Sequence, residues 1–255
     1  IGRLVGDEKM ARLLGAKVMV IGLGGVGSLA AEALCRSGVG QLWLVDFDKV
    51  CITNSNRQLQ AMQGTIGKFK ADILAERLQK INPQAKIEPI RHFYNERTSA
   101  MLLERQPDYV IDCIDNITAK CHLLATCRER GLKVICSTGA SGRIDPSHIK
   151  VADLSETRVD PLASAVRKIL RGKYGFPAKG KFGIPAVFST EPAAEPHELH
   201  YDEGKGFRCV CPGGKNDLHS CEDRSVIYGT AGFVTGTFGN FCASLVVRQI
   251  VSGSS

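Results

Sequence analysis

No basic segment leading into an apolar core and a cleavage site opens the chain, so a secretory leader is not expected. No internal repeat divides it. Paired C-x-x-C motifs are missing although ten cysteines are present. Those at 35, 113, 121, 127, 136 and 242 fall in apparent strands and helices, a usage that suits a reducing compartment better than a disulfide scaffold. The expectation is a cytoplasmic protein. Charge is missing from Ser225 to Val247, a stretch long enough to cross a bilayer. It carries Asn240, several threonines and glycines at 229, 232, 236 and 239, which fit a tightly packed internal or interface helix better, and no membrane partner is expected. Neither sign of charge dominates: 33 Lys and Arg against 26 Asp and Glu leave +7. Polyanion binding is one explanation of that balance among several.

What is present is a rhythm. The 255 residues can bury one substantial core, or one core with a smaller lobe. Apolar runs at about 17–22, 41–46, 86–92, 109–114 and 133–138 predict strands, and the segments 26–37, 67–81, 96–105 and 117–130 predict helices. Strands separated by helices imply right-handed crossovers and a mostly parallel sheet covered on both faces. The fold expected is therefore α/β, a doubly wound Rossmann-like sheet. After Gly142 come a short strand near 149–154, a basic helix from Pro161 to Gly172, a Gly/Pro/Lys-rich loop to Pro185, the strand AVFST, a polar segment from Glu195 to Glu222 and the closing apolar helix. This second half reads as a C-terminal elaboration of one 1–255 domain whose nucleotide-binding part is about 1–142.

The run VMVIGLGGVGS places Gly22, Gly24 and Gly27, with Gly25 between them, at a strand-to-helix turn. Such a turn lets backbone approach a phosphate and aims a helix N-terminus at it. Asp46 lies 22 positions after Gly24, where an acid bonds a ribose hydroxyl, so a dinucleotide survives to this point. The continuation separates the ligands. Asp48, Asn54 and Arg57 follow the second strand, and Lys68 and Lys70 open the next helix. A pyrophosphate bridge is satisfied by amides and a helix dipole, whereas a triphosphate calls for side-chain cations such as a bidentate Arg57 and a point-charge Lys70. This favours ATP. Asp112 and Asp115 flank the end of the fourth strand, the crevice edge where ligands bind in open parallel sheets. A carboxylate beside a triphosphate suits Mg2+, and Asp115 is the candidate; it could equally cap the helix that starts at Asn116.

The motifs GLGGVGS (22–28), DFD (46–48), NSNRQ (54–58), GKFK (67–70) and DCIDN (112–116) resemble, in order, those of the ubiquitin-activating-enzyme-like adenylyltransferases. The resemblance implies binding of ATP and Mg2+ and adenylation of a carboxylate. Arg57 and Lys70 would hold the β- and γ-phosphates, Asp46 the ribose and Asp115 the magnesium, with Gly22, Gly24, Gly25, Gly27, Asp48, Asn54 and Asn116 completing the nucleotide pocket. An arginine near the N-terminus often reaches the phosphates in that family, frequently from the second subunit of a dimer; Arg3 is the candidate. Within the family, GRIDPSHIKVADLSETRVDPLA (142–163), VFSTE (187–191) and GTAGFVTGTFG (229–239) resemble the dehydratases that act on threonylcarbamoyladenosine next to the anticodon of tRNA. The alternative substrate is the C-terminal glycine of a ubiquitin-like sulfur carrier.

Two further groups take their roles from that resemblance. Arg167, Lys168, Arg171, Lys173, Lys179 and Lys181, interleaved with Tyr174, Phe176 and Phe182 and free of acids, are candidates for tRNA binding, the aromatics stacking on an unpaired base. The alternative is a solvated helix face followed by a loop. Cys209, Cys211, His219 and Cys221 admit three readings: a zinc site, a reactive thiol at Cys221, or loop cysteines without chemistry. Relatives in sulfur-relay systems add a cysteine desulfurase to the implied partners. The family also implies a homodimer, for which the glycines of the last helix offer a flat packing face.

Overall fold

The computed structural model describes residues 1–197 and 228–253. Two short helices, α1 (Gly2–Val5) and α2 (Asp7–Gly15), precede the first strand. Then follow β1 (Lys17–Ile21), α3 (Gly27–Arg36), β2 (Gln41–Val45), α4 (Lys70–Ile81), β3 (Lys86–Ile90), α5 (Glu96–Leu103), β4 (Tyr109–Asp112), α6 (Ile117–Glu129) and β5 (Lys133–Ser137). The remainder is β6 (Ile149–Asp153), α7 (Pro161–Lys173), β7 (Pro185–Ser189) and α8 (Gly232–Ser252). The seven strands form one sheet in the order β3-β2-β1-β4-β5-β7-β6. Every pairing is parallel except β6 with β7, so the two late strands extend the sheet begun by the first five. The order reverses between β1 and β4, where such sheets open a crevice at their C-terminal edge.

Alternation along the strands supplies both faces. Val18 and Val20 join Leu42, Leu44 and Ile111 in the core beneath α3, α4 and α8, while Met19 and Ile21 join Trp43, Val45 and Val110 beneath α5, α6 and α7. Each fully buried aliphatic side chain contributes about 1.5–3 kcal/mol by leaving water. This is the parallel-sheet arrangement that the strand–helix rhythm predicts.

Three local expectations change. The fourth helix starts at Lys70 rather than residue 67, because Gly67 is left-handed (φ 85°) and Val50 exchanges backbone bonds with Gly67 and Lys68, holding that stretch extended. The closing helix runs on to Ser252, past the charged Arg248, and stops at left-handed Gly253 (φ 66°). Its glycines do not form a free face. A Cβ on Gly239 would meet the Val26 carbonyl oxygen at 2.5 Å and one on Gly236 would meet Leu29 at 3.0 Å, so these positions seat α8 on α3 of the same chain. Among the described residues, no helix is long and apolar enough to cross a membrane.

Candidate active site

The glycine turn leaves the end of β1 with Gly22 at φ 89°, a conformation that disfavours any side chain. Space forbids one as well, since a Cβ there would lie 2.7 Å from the Cys113 carbonyl oxygen. Gly27 is equally constrained: its Cβ would lie 1.8 Å from the Gly22 carbonyl oxygen, so α3 begins hard against the turn. Gly24 is the least crowded of the four, a Cβ there meeting only Gln58 Nε2 at 4.0 Å, which suits a place where a phosphate comes close. Gly25 does not; its Cβ would meet Thr235 Oγ1 on α8 at 2.8 Å and Arg57 Cγ at 3.1 Å.

Beside the turn, just past β2, Asp46 is buried and accepts the Leu23 N–H at 2.7 Å on Oδ2 and the Asp48 N–H at 2.8 Å on Oδ1. Each oxygen keeps a second lone pair for a ligand hydroxyl. Burial pushes the Asp46 carboxyl up, with Lys70 opposing. Lys70, the first residue of α4, places Nζ 2.7 Å from Asp48 Oδ2. Burial works against its charge, but Asp46, Asp48 and Asp115 outweigh it and hold the ammonium above its ordinary range. Lys70 is thus a fixed positive charge at the crevice. Lys68 is exposed.

Arg57 is half-buried, its Nη1 donating to the Thr53 carbonyl at 3.0 Å and to Asn56 Oδ1 at 2.8 Å. Asn54 Oδ1 accepts the Cys51 N–H at 3.3 Å, closing the turn that precedes Arg57. Asp115 is exposed on the turn after β4. It does not cap α6; Asn116 does, accepting the Ala119 N–H at 3.0 Å. The two carboxylates expected together at this edge part company. Asp112 is fully buried and pairs at 2.6 Å with Lys120 Nζ, which also donates to the Ser137 carbonyl at 2.9 Å. Sequence reasoning missed Lys120, which presents no periodic or motif signal. It also missed Gln60, whose Nε2 holds the Leu23 carbonyl of the glycine turn at 2.6 Å.

Arg3 lies exposed on α1. A second arginine before β1, Arg12, pairs with Glu8 at 2.5 Å.

The basic stretch divides. Lys168, Lys173, Lys179 and Lys181 are exposed, whereas Arg167 bonds Thr157 and Arg171 Nε donates to the Pro177 carbonyl at 3.3 Å. The expected stacking by Phe176 and Phe182 is overturned. Both rings are buried and pack edge-to-face at 4.9 Å, covered by Arg128 and Arg171, because the apolar faces of α6 and α7 need filling. Cys209, Cys211, His219 and Cys221 lie outside the described residues.

The ThiF family model matches residues 1–253. The tRNA threonylcarbamoyladenosine dehydratase of Haemophilus influenzae is 43% identical over all of this chain and 93% of its own length. That of Escherichia coli is 36% identical over 98% of this chain and 91% of its own length. The crystal structure of the E. coli enzyme in complex with ATP superposes with a TM-score of 0.85 at 35% identity, covering 99% of this chain and 93% of that one. The chain therefore belongs to the ThiF family and, within it, to the tRNA threonylcarbamoyladenosine dehydratases.

Proposed function

We propose that this protein dehydrates threonylcarbamoyladenosine in tRNA at the expense of ATP, through adenylation of the threonyl carboxylate. The observation that carries the reading is the agreement, over nearly the whole chain, with an ATP-bound dehydratase. The glycine turn, Asp46, Lys70, Arg57 and Asp115 supply matching chemistry at one sheet edge. A carboxylate is a poor electrophile, and activation gives it a good leaving group. Its oxygen attacks the α-phosphorus, the bond to the β-phosphate oxygen breaks, and pyrophosphate departs with the electron pair. The carbamoyl nitrogen then attacks the acyl carbon and gives up its proton as AMP leaves, so the sum is ring closure with loss of water. That second step is intramolecular, and proximity supplies much of its rate.

In this reading Asp46 bonds the ribose, and Arg57 and Lys70 stabilise charge gathering on the departing pyrophosphate. Gly24 and Gly25 bring backbone to the phosphates, with Asp48, Asn54 and Asn116 lining the pocket. The exposed carboxylate of Asp115 suits magnesium, which takes one or two carboxylates together with phosphate oxygens and, when bound, neutralises phosphate charge. The exposed lysines 168, 173, 179 and 181 meet tRNA phosphates, together with Arg167 and Arg171 of the same basic stretch. A homodimer is supported by the outward face of α8, which exposes Phe233 and Phe241, and sedimentation should show a dimer. Six of the seven described cysteines are buried, in keeping with a reducing cytoplasm. Adenylation of a carrier's C-terminal glycine is the less supported alternative, since the full-length similarity is to tRNA dehydratases.

ATP–pyrophosphate exchange with and without modified tRNA, followed by mass analysis of the nucleosides, tests the reading. Exchange that requires the modified tRNA and a nucleoside lighter by one water are expected; an unchanged nucleoside overturns it. A sulfur-relay role for Cys221 is tested separately. Ring closure on an acyl-adenylate needs no thiol, so Cys221→Ala should retain more than about a tenth of turnover. Complete inactivity with intact ATP binding would demand thiol chemistry.

A further inference from the structure

Asn56 sits between the phosphate-clamp arginine and a segment far away in sequence. Its Oδ1 accepts from Arg57 Nη1 at 2.8 Å, and its Nδ2 donates to the Thr230 carbonyl at 2.7 Å, 174 residues along the chain. Only one orientation of the amide satisfies both partners. The seam is tight on the backbone side too: a Cβ on Gly232 would lie 2.5 Å from the Asn56 carbonyl oxygen and 3.5 Å from Arg57 Cα. Thr230 is itself held in place by its neighbour. Gly229 accepts the Gly142 N–H at 2.8 Å, and Gly142 in turn accepts the Ala194 N–H at 2.7 Å. Thr235, one turn into α8, and Arg57 both lie against Gly25 of the glycine turn.

We propose that Asn56 is a positioning residue, tying the Arg57 guanidinium to the start of α8 and thereby setting its aim at the β- and γ-phosphates of ATP. The proposal rests on the reading of Arg57 given above. Two bonds converge on Nη1, one from the local backbone at Thr53 and one from Asn56. Without the second, the guanidinium loses its tie through Asn56 to the Thr230 carbonyl beside the start of α8. The cost should fall on groups beyond the α-phosphate, because Arg57 addresses only those.

Binding of ATP and of AMP to the parent, Asn56→Ala, Arg57→Ala and the double variant provides the test, with unfolding midpoints measured alongside. Asn56→Ala should weaken ATP binding roughly tenfold, leave AMP binding and the midpoint unmoved, and add nothing in the Arg57→Ala background. Gly232→Ala, which presses on the same seam from the other side, should give the same ATP-selective loss. Parental ATP binding by both Asn56→Ala and Gly232→Ala, equal losses for AMP and ATP, or full additivity with Arg57→Ala overturns the positioning role alone. Parental ATP binding by Arg57→Ala overturns the clamp itself and this proposal with it.

Discussion

The two halves of the crevice use the same parts to different ends. On the β2 side, a lysine at the start of α4 meets an aspartate beyond the strand end at 2.7 Å, with side-chain exposures of 8% and 33%. On the β4 side, a lysine in α6 meets the last residue of the strand at 2.6 Å, with exposures of 1% and 0%. Lys70–Asp48 keeps solvent access on the Asp48 side, at the edge where we propose that ATP binds. Lys120–Asp112 is sealed, and further bonds from Lys120 to Cys136 Sγ and the Ser137 carbonyl tie α6 to β5. The role proposed for Lys70 and the structural one of Lys120 follow from that difference in access rather than from their place at a strand end.

The largest expected effect breaks the sealed half. Lys120→Ala leaves Asp112 in the interior without its counter-ion and should cost about 3–5 kcal/mol of unfolding free energy, measured by denaturant titration. Lys70→Ala should cost only about 1 kcal/mol, since Asp48 can turn to water. Equal losses for the two would erase the distinction.

Activity should show the reverse ordering. Lys70→Ala and Arg57→Ala should each lower pyrophosphate exchange by about 10²–10³ at saturating ATP, the loss typical of removing one preorganised group that stabilises transition-state charge. Asp115→Asn should act in the same direction through magnesium. Near-parental turnover in Lys70→Ala would detach the open half from catalysis.

The comparison of open with enclosed groups extends to the basic surface. Replacing exposed Lys173, Lys179 and Lys181 together by Ala should weaken tRNA binding and flatten its salt dependence by about one log–log unit for each cation in contact. ATP affinity should not change. A parental salt series would place the RNA-binding face elsewhere.

The smallest effect belongs to a pair of intermediate burial. Glu32 on α3 meets Arg77 of α4 at 2.6 Å and Arg36 at 2.8 Å. Burial alone would raise its carboxyl, but hydrogen bonds from Arg77 and Arg36 outweigh it and hold the group below its usual range. A lowered folded value means stabilisation that is present above about pH 4.3, the unfolded value, and lost as pH falls through the folded one. Glu32→Gln should thus cost about 1 kcal/mol near neutrality, with parent and variant converging in acid. A gap that persists at low pH would assign the loss to packing instead.

Most of the architecture follows from local pattern. Alternating apolar runs and helical segments announce the strand–helix rhythm, and the glycines at 22 and 27 mark the turn because backbone conformation or close approach admits little else there. The residues we propose to meet ATP, Asp46, Arg57, Lys70 and Asp115, were picked out by type and spacing alone. α1 is too short for a helical period to register, and α2 was passed over although it is amphipathic and Leu13 is fully buried.

What tertiary structure alone decided is which of these groups face the crevice and which are enclosed. Asp112 and Asp115 lie three residues apart, yet one is sealed by Lys120 and the other exposed. Phe176 and Phe182 read as a nucleic-acid platform until α6 and α7 close over them, and the glycines of α8 read as a partner face until α3 fills it. Asn56 gains a role only when Thr230 arrives beside it. Local patterns record what a few neighbouring residues favour, whereas burial and pairing depend on elements brought together by the sheet from distant parts of the chain.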